Sequence, residues 1–119
     1  MRFLASVAAA GAMVVTPVHV TITAAHTVKA NAKWPVTIRI TNAAGKPLRA
    51  TLTNRILLGS IVVGQVDKGK VWRVFGVWRE PKGQEITWPA SARGETLNFQ
   101  TIVHVGGRTV KKAFPVSVR

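Results

Sequence analysis

Three histidines, four acids and four serines are the side chains of this 119-residue chain best suited to chemistry. A metal site needs several nitrogen, sulfur or oxygen ligands converging from fixed positions. His19 and His26 have no Asp or Glu within fifteen residues, and neither the His-x-His nor the His-x-x-x-His spacing occurs. His19 and His104 both fall on the polar side of alternating runs. Cysteine is absent, which removes disulfides, thiolate metal sites and thiol nucleophiles. Ser6, Ser60, Ser91 and Ser117 stand outside any Gly-x-Ser-x-Gly elbow, and no Gly-Lys-Ser/Thr follows Gly59 or Gly64 to make a phosphate loop. Asp67, Glu80, Glu85 and Glu95 are too few for paired-carboxylate catalysis or a calcium cage. The inventory points away from an enzyme and implies no cofactor.

The charge balance points to a partner instead. Seventeen basic residues against four acids give a net charge of +13. Residues 1–66 carry seven of the cations and none of the acids. Such a surface attracts anionic polymers or lipid headgroups without sequence readout. Lys82, Arg93 and Arg108, all in expected loops or turns, are the residues assigned to that polyanion contact. The run Val71-Trp72-Arg73-Val74-Phe75-Gly76-Val77-Trp78-Arg79 looks like an aromatic-basic binding stripe. Strand parity divides it, with Trp72 and Trp78 on one face and Arg73 and Arg79 on the other. A single-strand binding groove needs rings and cations on one surface, so no specific nucleic-acid partner is expected.

These residues must be positioned by strands. Val, Ile and Thr number 18, 7 and 12, and β-branched side chains favour pleated sheets over helices. Val18–Thr23 and Trp34–Thr41 alternate apolar with polar, separated by a polar connection at 25–33. Pro35 belongs at a strand start because it cannot donate to a ladder. Asn42–Pro47 is a turn, and Arg49–Leu58 places Leu52, Asn54, Ile56 and Leu58 on one face. Ile61–Val66 and Val71–Trp78 are expected to pair as a hairpin across Asp67–Lys70. Gln84–Trp88 is a short strand ending on a buried ring, and Gly64 and Gly76 mark bulges or close packing. Gly106-Gly107 closes a tight hairpin between Thr96–Val105 and Arg108–Val118, with partners summing to 213. Phe99 then faces Phe114 and Val103 faces Val110. Pro115 marks the last strand as an edge or a bulge.

The total is an all-β chain, an immunoglobulin-like β-sandwich of about seven antiparallel strands over residues 17–119. Before it, Arg2 is followed by Phe3–Val15, thirteen uncharged residues with small-x-small triplets, which fits a signal peptide over 1–16 or a truncated membrane anchor. The run is short of the about 20 apolar residues that a membrane span needs.

The strand Trp34-Pro35-Val36-Thr37-Ile38-Arg39-Ile40-Thr41, the turn Ala44-Gly45-Lys46-Pro47-Leu48 and the closing Gly106-Gly107 hairpin carry a resemblance. The chain resembles immunoglobulin-like and fibronectin-III-like β-sandwich domains of exported bacterial proteins, and more loosely YtkA-like sandwiches. The antibody cysteine pair is absent, so the resemblance transfers no binding site. It implies a non-enzymatic, extracytoplasmic accessory or interaction module, secreted or held in the bacterial cell envelope. Its partner would be a protein or an anionic envelope polymer, and membrane contact would run only through an uncleaved N-terminal segment. Two alternatives accompany this reading: a binder of polyanions, either cell-wall polymer or anionic lipid, and a weak copper-handling envelope protein using histidine. Export predicts a mature chain lacking about its first 12 to 16 residues. Intact-mass measurement on envelope-derived protein checks this, and a mass that retains Met1 contradicts it.

Overall fold

The computed structural model describes residues 17–119, so the expected signal segment at 1–16 lies outside the described residues. Eleven strands occur among the described residues: β1 (His19–Ala24), β2 (Thr27–Val28), β3 (Lys33–Trp34), β4 (Val36–Thr41), β5 (Arg49–Leu58), β6 (Ile61–Gln65), β7 (Trp72–Phe75), β8 (Val77–Arg79), β9 (Ile86–Thr87), β10 (Thr96–Val105) and β11 (Arg108–Val118). Short 3-10 turns follow at Val66–Gly69 and Ala90–Ala92. Nine strands follow one hydrogen-bonded path, β1-β4-β8-β7-β5-β10-β11-β2 with β6 also on β5, and the β7–β8 step, Phe75 opposite Val77, divides it into a smaller layer, β1-β4-β8, and a larger one, β7-β5-β10-β11-β2.

The closing hairpin has the register its turn dictates. Thr96 pairs with Ser117, Phe99 with Phe114 and Val105 with Arg108, every pair summing to 213. Gly106 supplies the left-handed turn conformation at φ 58°, while Gly107 does not share it. Alternation along β10 buries Leu97, Phe99, Thr101 and Val103 and turns Gln100, Ile102 and His104 outward. Phe99 is fully buried and Phe114 half-buried, its ring stacked on His26 at 4.0 Å. Burying a Phe ring stabilises a core by about 3–5 kcal/mol relative to Ala, so Phe99 is a principal anchor of this layer.

The count of seven antiparallel strands needs correction. Pro35 separates β3 from β4, and β3 pairs with β9 as a separate two-stranded sheet, Ile86 opposite Trp34. The stretch 25–33, expected as a connection, contributes both β2 and Lys33 of β3. β2 runs parallel to β11, Thr27 beside Ser117, and the Ser117 N–H donates to the His26 carbonyl at 2.7 Å. The expected hairpin across Asp67–Lys70 does not form. Gly59, at φ 60°, turns the chain so that β6 folds back on β5, Ile61 opposite Leu58. β7 then joins the same edge of β5 farther along, Arg73 opposite Thr51. One ladder edge therefore serves two strands end to end, because each satisfies only half of the ten-residue β5.

The strand expected over Val71–Trp78 is divided at Gly76. β7 belongs to the larger layer and β8 to the smaller, Trp78 opposite Ile38. At the crossing Gly76 N–H donates to the Leu48 carbonyl at 2.9 Å, and the Gly76 carbonyl accepts from Ile40 N–H at 2.9 Å. Gly76 holds φ 78°, and a Cβ there would collide with Cβ of Pro47. Both the left-handed backbone and the missing side chain are required. Gly45 has a similar φ of 79° but open space around it. We expect Gly76→Ala to cost about 3 kcal/mol or more, against about 1–2 kcal/mol for Gly45→Ala. Equal denaturant midpoints for the two variants would contradict the crossing.

Candidate functional site

Two surfaces differ in chemistry. The outer face of the larger layer is built by parity. Arg49, Thr51, Thr53 and Arg55 project from β5 on the side opposite buried Leu52 and Asn54. Gln100, Ile102 and His104 project beside them from β10, and Thr109 and Lys111 from β11. Register aligns Arg73, Thr51, His104 and Thr109 in one row across four strands. Neighbouring strands lie about 4.8 Å apart, so these side chains are close neighbours. Arg49, Thr51, Arg73, His104 and Gly106 line a shallow depression of about 360 Å³. Arg49 lies over the Phe75 ring at 5.2 Å, Arg55 Nε donates to Gln100 Oε1 at 2.7 Å, and His104 Nδ1 shares a hydrogen bond with Thr109 Oγ1 at 3.0 Å. None of the four acids lies in a strand, so the charged residues of this face are all basic, and Ile102 and Phe75 lie among them.

The second surface is a cleft of about 580 Å³ between the β5–β6 hairpin and the 84–92 loop. Ile56, Leu58, Val63, Trp88 and Leu97 form its apolar walls. The register between β5 and β6 slips after Ile56, leaving Val63 as an extra residue that lines the cleft. Such a bulge redirects a side chain that regular pairing would place elsewhere. Leu58, which parity puts on one face with Leu52, is 44 % exposed where it lines this cleft, and its neighbour Leu57 is buried. Trp88 is anchored by an edge-on contact with Trp34 at 5.4 Å, and Trp34 in turn meets Phe99 at 5.2 Å. The expectation that Trp88 ends its strand with a buried ring holds, at 2 % exposure.

The acids gather at this cleft. Asp67, Glu85 and Glu95 line it, and Glu80 sits against Asp67. Glu85 faces Lys33 at 3.9 Å and accepts from Gly83 N–H at 2.9 Å. Both Glu80 oxygens and Asp67 Oδ2 are buried, and no N–H or hydroxyl donor of the described residues reaches them. Burial first, then a hydrogen bond to Asp67 and the charges of Asp67 and Glu85, push the Glu80 carboxyl from an ordinary 4.5 to about 8. Glu80 is thus protonated at neutral pH.

The residues singled out in the sequence do not converge. Lys82 lies in the 80–85 loop, Arg93 in the loop before β10, and Arg108 at the start of β11; all three are exposed. Arg93 and Arg108 flank opposite ends of β10, about 30 Å apart at the strand rise. The basic cluster instead comprises Arg49, Arg55, Arg73 and Lys111, which the sequence treated as ordinary solvent-facing residues. The 213 register was the signal that places β10 beside β11, and parity gave the outward face of β5, but bringing Arg49, Arg55 and Arg73 to this face needed the β5–β10 and β7–β5 pairings. The tryptophan-arginine stripe divides as expected: Trp72 and Trp78 meet at 5.7 Å on the core side, and Arg73 and Arg79 are exposed. His26 Nδ1 donates to the Pro115 carbonyl at 2.8 Å, and among the described residues no group of three His, Asp or Glu is arranged to hold a metal ion.

No family model matches the chain, and no curated protein matches it. Among solved structures, the CARDB domain of a Pyrococcus furiosus protein, in complex with di-metal ions, is similar at TM-score 0.55 and 14 % identity, over 87 % of this chain and 93 % of that one. The likeness establishes an all-β domain of the broad immunoglobulin and fibronectin-III type.

Because Glu80 takes up its proton more readily folded than unfolded, folding binds a proton between pH 4.5 and about 8. Its stabilising contribution is full below 4.5 and is lost as pH rises through about 8. Denaturant midpoints of the wild type should fall across that window, and Glu80→Gln should remove this part of the slope. Identical slopes in the two proteins would refute the raised Glu80 carboxyl.

Proposed function

We propose that this chain is a non-enzymatic, extracytoplasmic interaction module of the bacterial cell envelope that holds an anionic polymer on the outer face of its larger layer. The observation that carries the reading is the segregation of charge: Arg49, Arg55, Arg73 and Lys111 share a face with threonines and amides, and every acid lies in loops elsewhere. A flat sheet surface with regularly spaced cations suits a flexible polyanion, which contributes repeated charges and needs no deep pocket. Threonine, glutamine and histidine groups add hydrogen bonds to phosphate or hydroxyl oxygens. Lys82, Arg93 and Arg108 extend the positive field at the ends of the sandwich. The copper-handling alternative is not favoured by any arrangement of the three histidines, each of which sits on a different part of the fold.

The test is retention on immobilised teichoic-acid-like polymer or heparin across a salt gradient. The triple variant Arg49→Glu, Arg73→Glu, Lys111→Glu should elute at markedly lower salt and lower the slope of log K against log salt by about 2 to 3. The triple variant Lys82→Glu, Arg93→Glu, Arg108→Glu makes the same change in net charge and should lose less. Equal losses would reduce the interaction to net charge, and retention that survives high salt in both would place the site elsewhere.

A further inference from the structure

We propose that the cleft beside β6 is a second binding site, which takes an extended peptide segment whose lysine or arginine is flanked by apolar side chains. The first support is the edge itself. β6 pairs with β5 on one side and with no strand on the other among the described residues. Its sequence, Ile61-Val62-Val63-Gly64-Gln65, has no charge and no proline. Edge strands are usually protected by charge, proline or a covering element, because their unpaired backbone groups accept a further strand. Here Ile61 and Val63 are 66 % and 53 % exposed, so the edge is both open and apolar. A strand laid along it would gain backbone hydrogen bonds, with alternate side chains directed to the cleft.

The second support is the chemistry of the cleft. Its volume of about 580 Å³ has room for several side chains, and its walls are aliphatic and indole. Trp88, almost wholly buried, presents part of its ring to the cleft and gives that wall a rigid aromatic surface. The third support is charge complementarity. A chain with seventeen cations places Asp67, Glu85 and Glu95, three of its four acids, on this one cleft. The one cation that Glu85 meets among the described residues is the exposed Lys33, at 3.9 Å, so a cation on the segment adds an ion pair that an apolar segment does not, and an acidic segment is repelled. The same argument disfavours a second copy docking through its own β6, since that strand brings no basic residue.

This site is distinct from the basic face and does not depend on it. The experiment is titration of the full chain at pH 6.5 with three eight-residue peptides, alternating valine-lysine, valine-glutamate and glycine-lysine, followed by amide NMR shifts and tryptophan fluorescence. The expected result is saturable binding of the valine-lysine peptide with shifts centred on Ile61–Gln65 and Trp88, and binding weaker by about tenfold or more for the other two. Val63→Lys should abolish binding, and the double variant Glu85→Gln, Glu95→Gln should weaken it about tenfold with an unchanged amide spectrum elsewhere. Retention on the anionic polymer should not weaken in the Gln variant, which separates failure of this site from failure of the basic face. Equal binding of the valine-glutamate peptide, shifts confined to other strands, or β6 shifts that depend only on protein concentration would each overturn the proposal, the last by identifying a second copy as the occupant.

Discussion

A single strand that belongs to both layers sets the geometry of this domain. β7 and β8 are continuous in the chain, yet one pairs with β5 and the other with β4, so the chain must change layers at one residue. That residue has to leave the extended region, surrender its side chain to Pro47 and still place both its amide and its carbonyl in hydrogen bonds. Gly76 does all three, donating to Leu48 and accepting from Ile40. The contact fixes where the smaller layer sits on the larger. It brings Trp78 of one against Trp72 of the other, which joins the two halves of the core.

At the opposite end of the core the layers are held by rings. Trp34, Trp88 and Phe99 meet edge to face, a geometry that aligns the positive ring edge with the negative face of its neighbour. Trp34 also donates its indole N–H to the Ala25 carbonyl at 2.8 Å, tying the segment before β2 to the core. Because Trp88 is fixed there, the 84–92 loop stands away from the β5–β6 hairpin, and the bulge at Val63 keeps the hairpin from closing over it. The cleft is the space left between these two constraints. The core is not wholly apolar: Asn54 and Thr101 face each other across β5 and β10, at 1 % and 0 % exposure and without hydrogen-bond partners, so this layer gives up some stability at its centre.

Charge follows the same division of labour. Cations occupy water-facing strand positions as well as loops, and their long side chains lie over the sheet and over rings, as Arg49 does on Phe75 and Lys70, just before β7, on Trp72 at 4.0 Å. Acids occupy only loops, and the loops bring them to one place. The result is two surfaces of opposite character on a strongly basic domain, one broad and flat, the other narrow and apolar-walled.

The sequence by itself determined the class and the local hairpin. Alternation over Val36–Thr41, Arg49–Leu58 and Thr96–Val118, with two glycines at 106–107, sufficed because a two-residue turn fixes register and register fixes faces. The parity of Trp72, Arg73, Trp78 and Arg79 was legible for the same reason. Tertiary structure decided what lies far apart in sequence. β6 has two possible neighbours of equal apolar character, and the choice of β5 rests on the tight turn at Gly59 and on the half of β5 left unpaired. β2, β3 and β9 have two residues each, too few to show a period, and exist only because a neighbouring edge offers hydrogen bonds. Asp67, Glu80, Glu85 and Glu95 have no motif spacing. They meet because the chain changes layers at Gly76 and because Trp88 is buried, and neither event leaves a local trace beyond one glycine and one tryptophan.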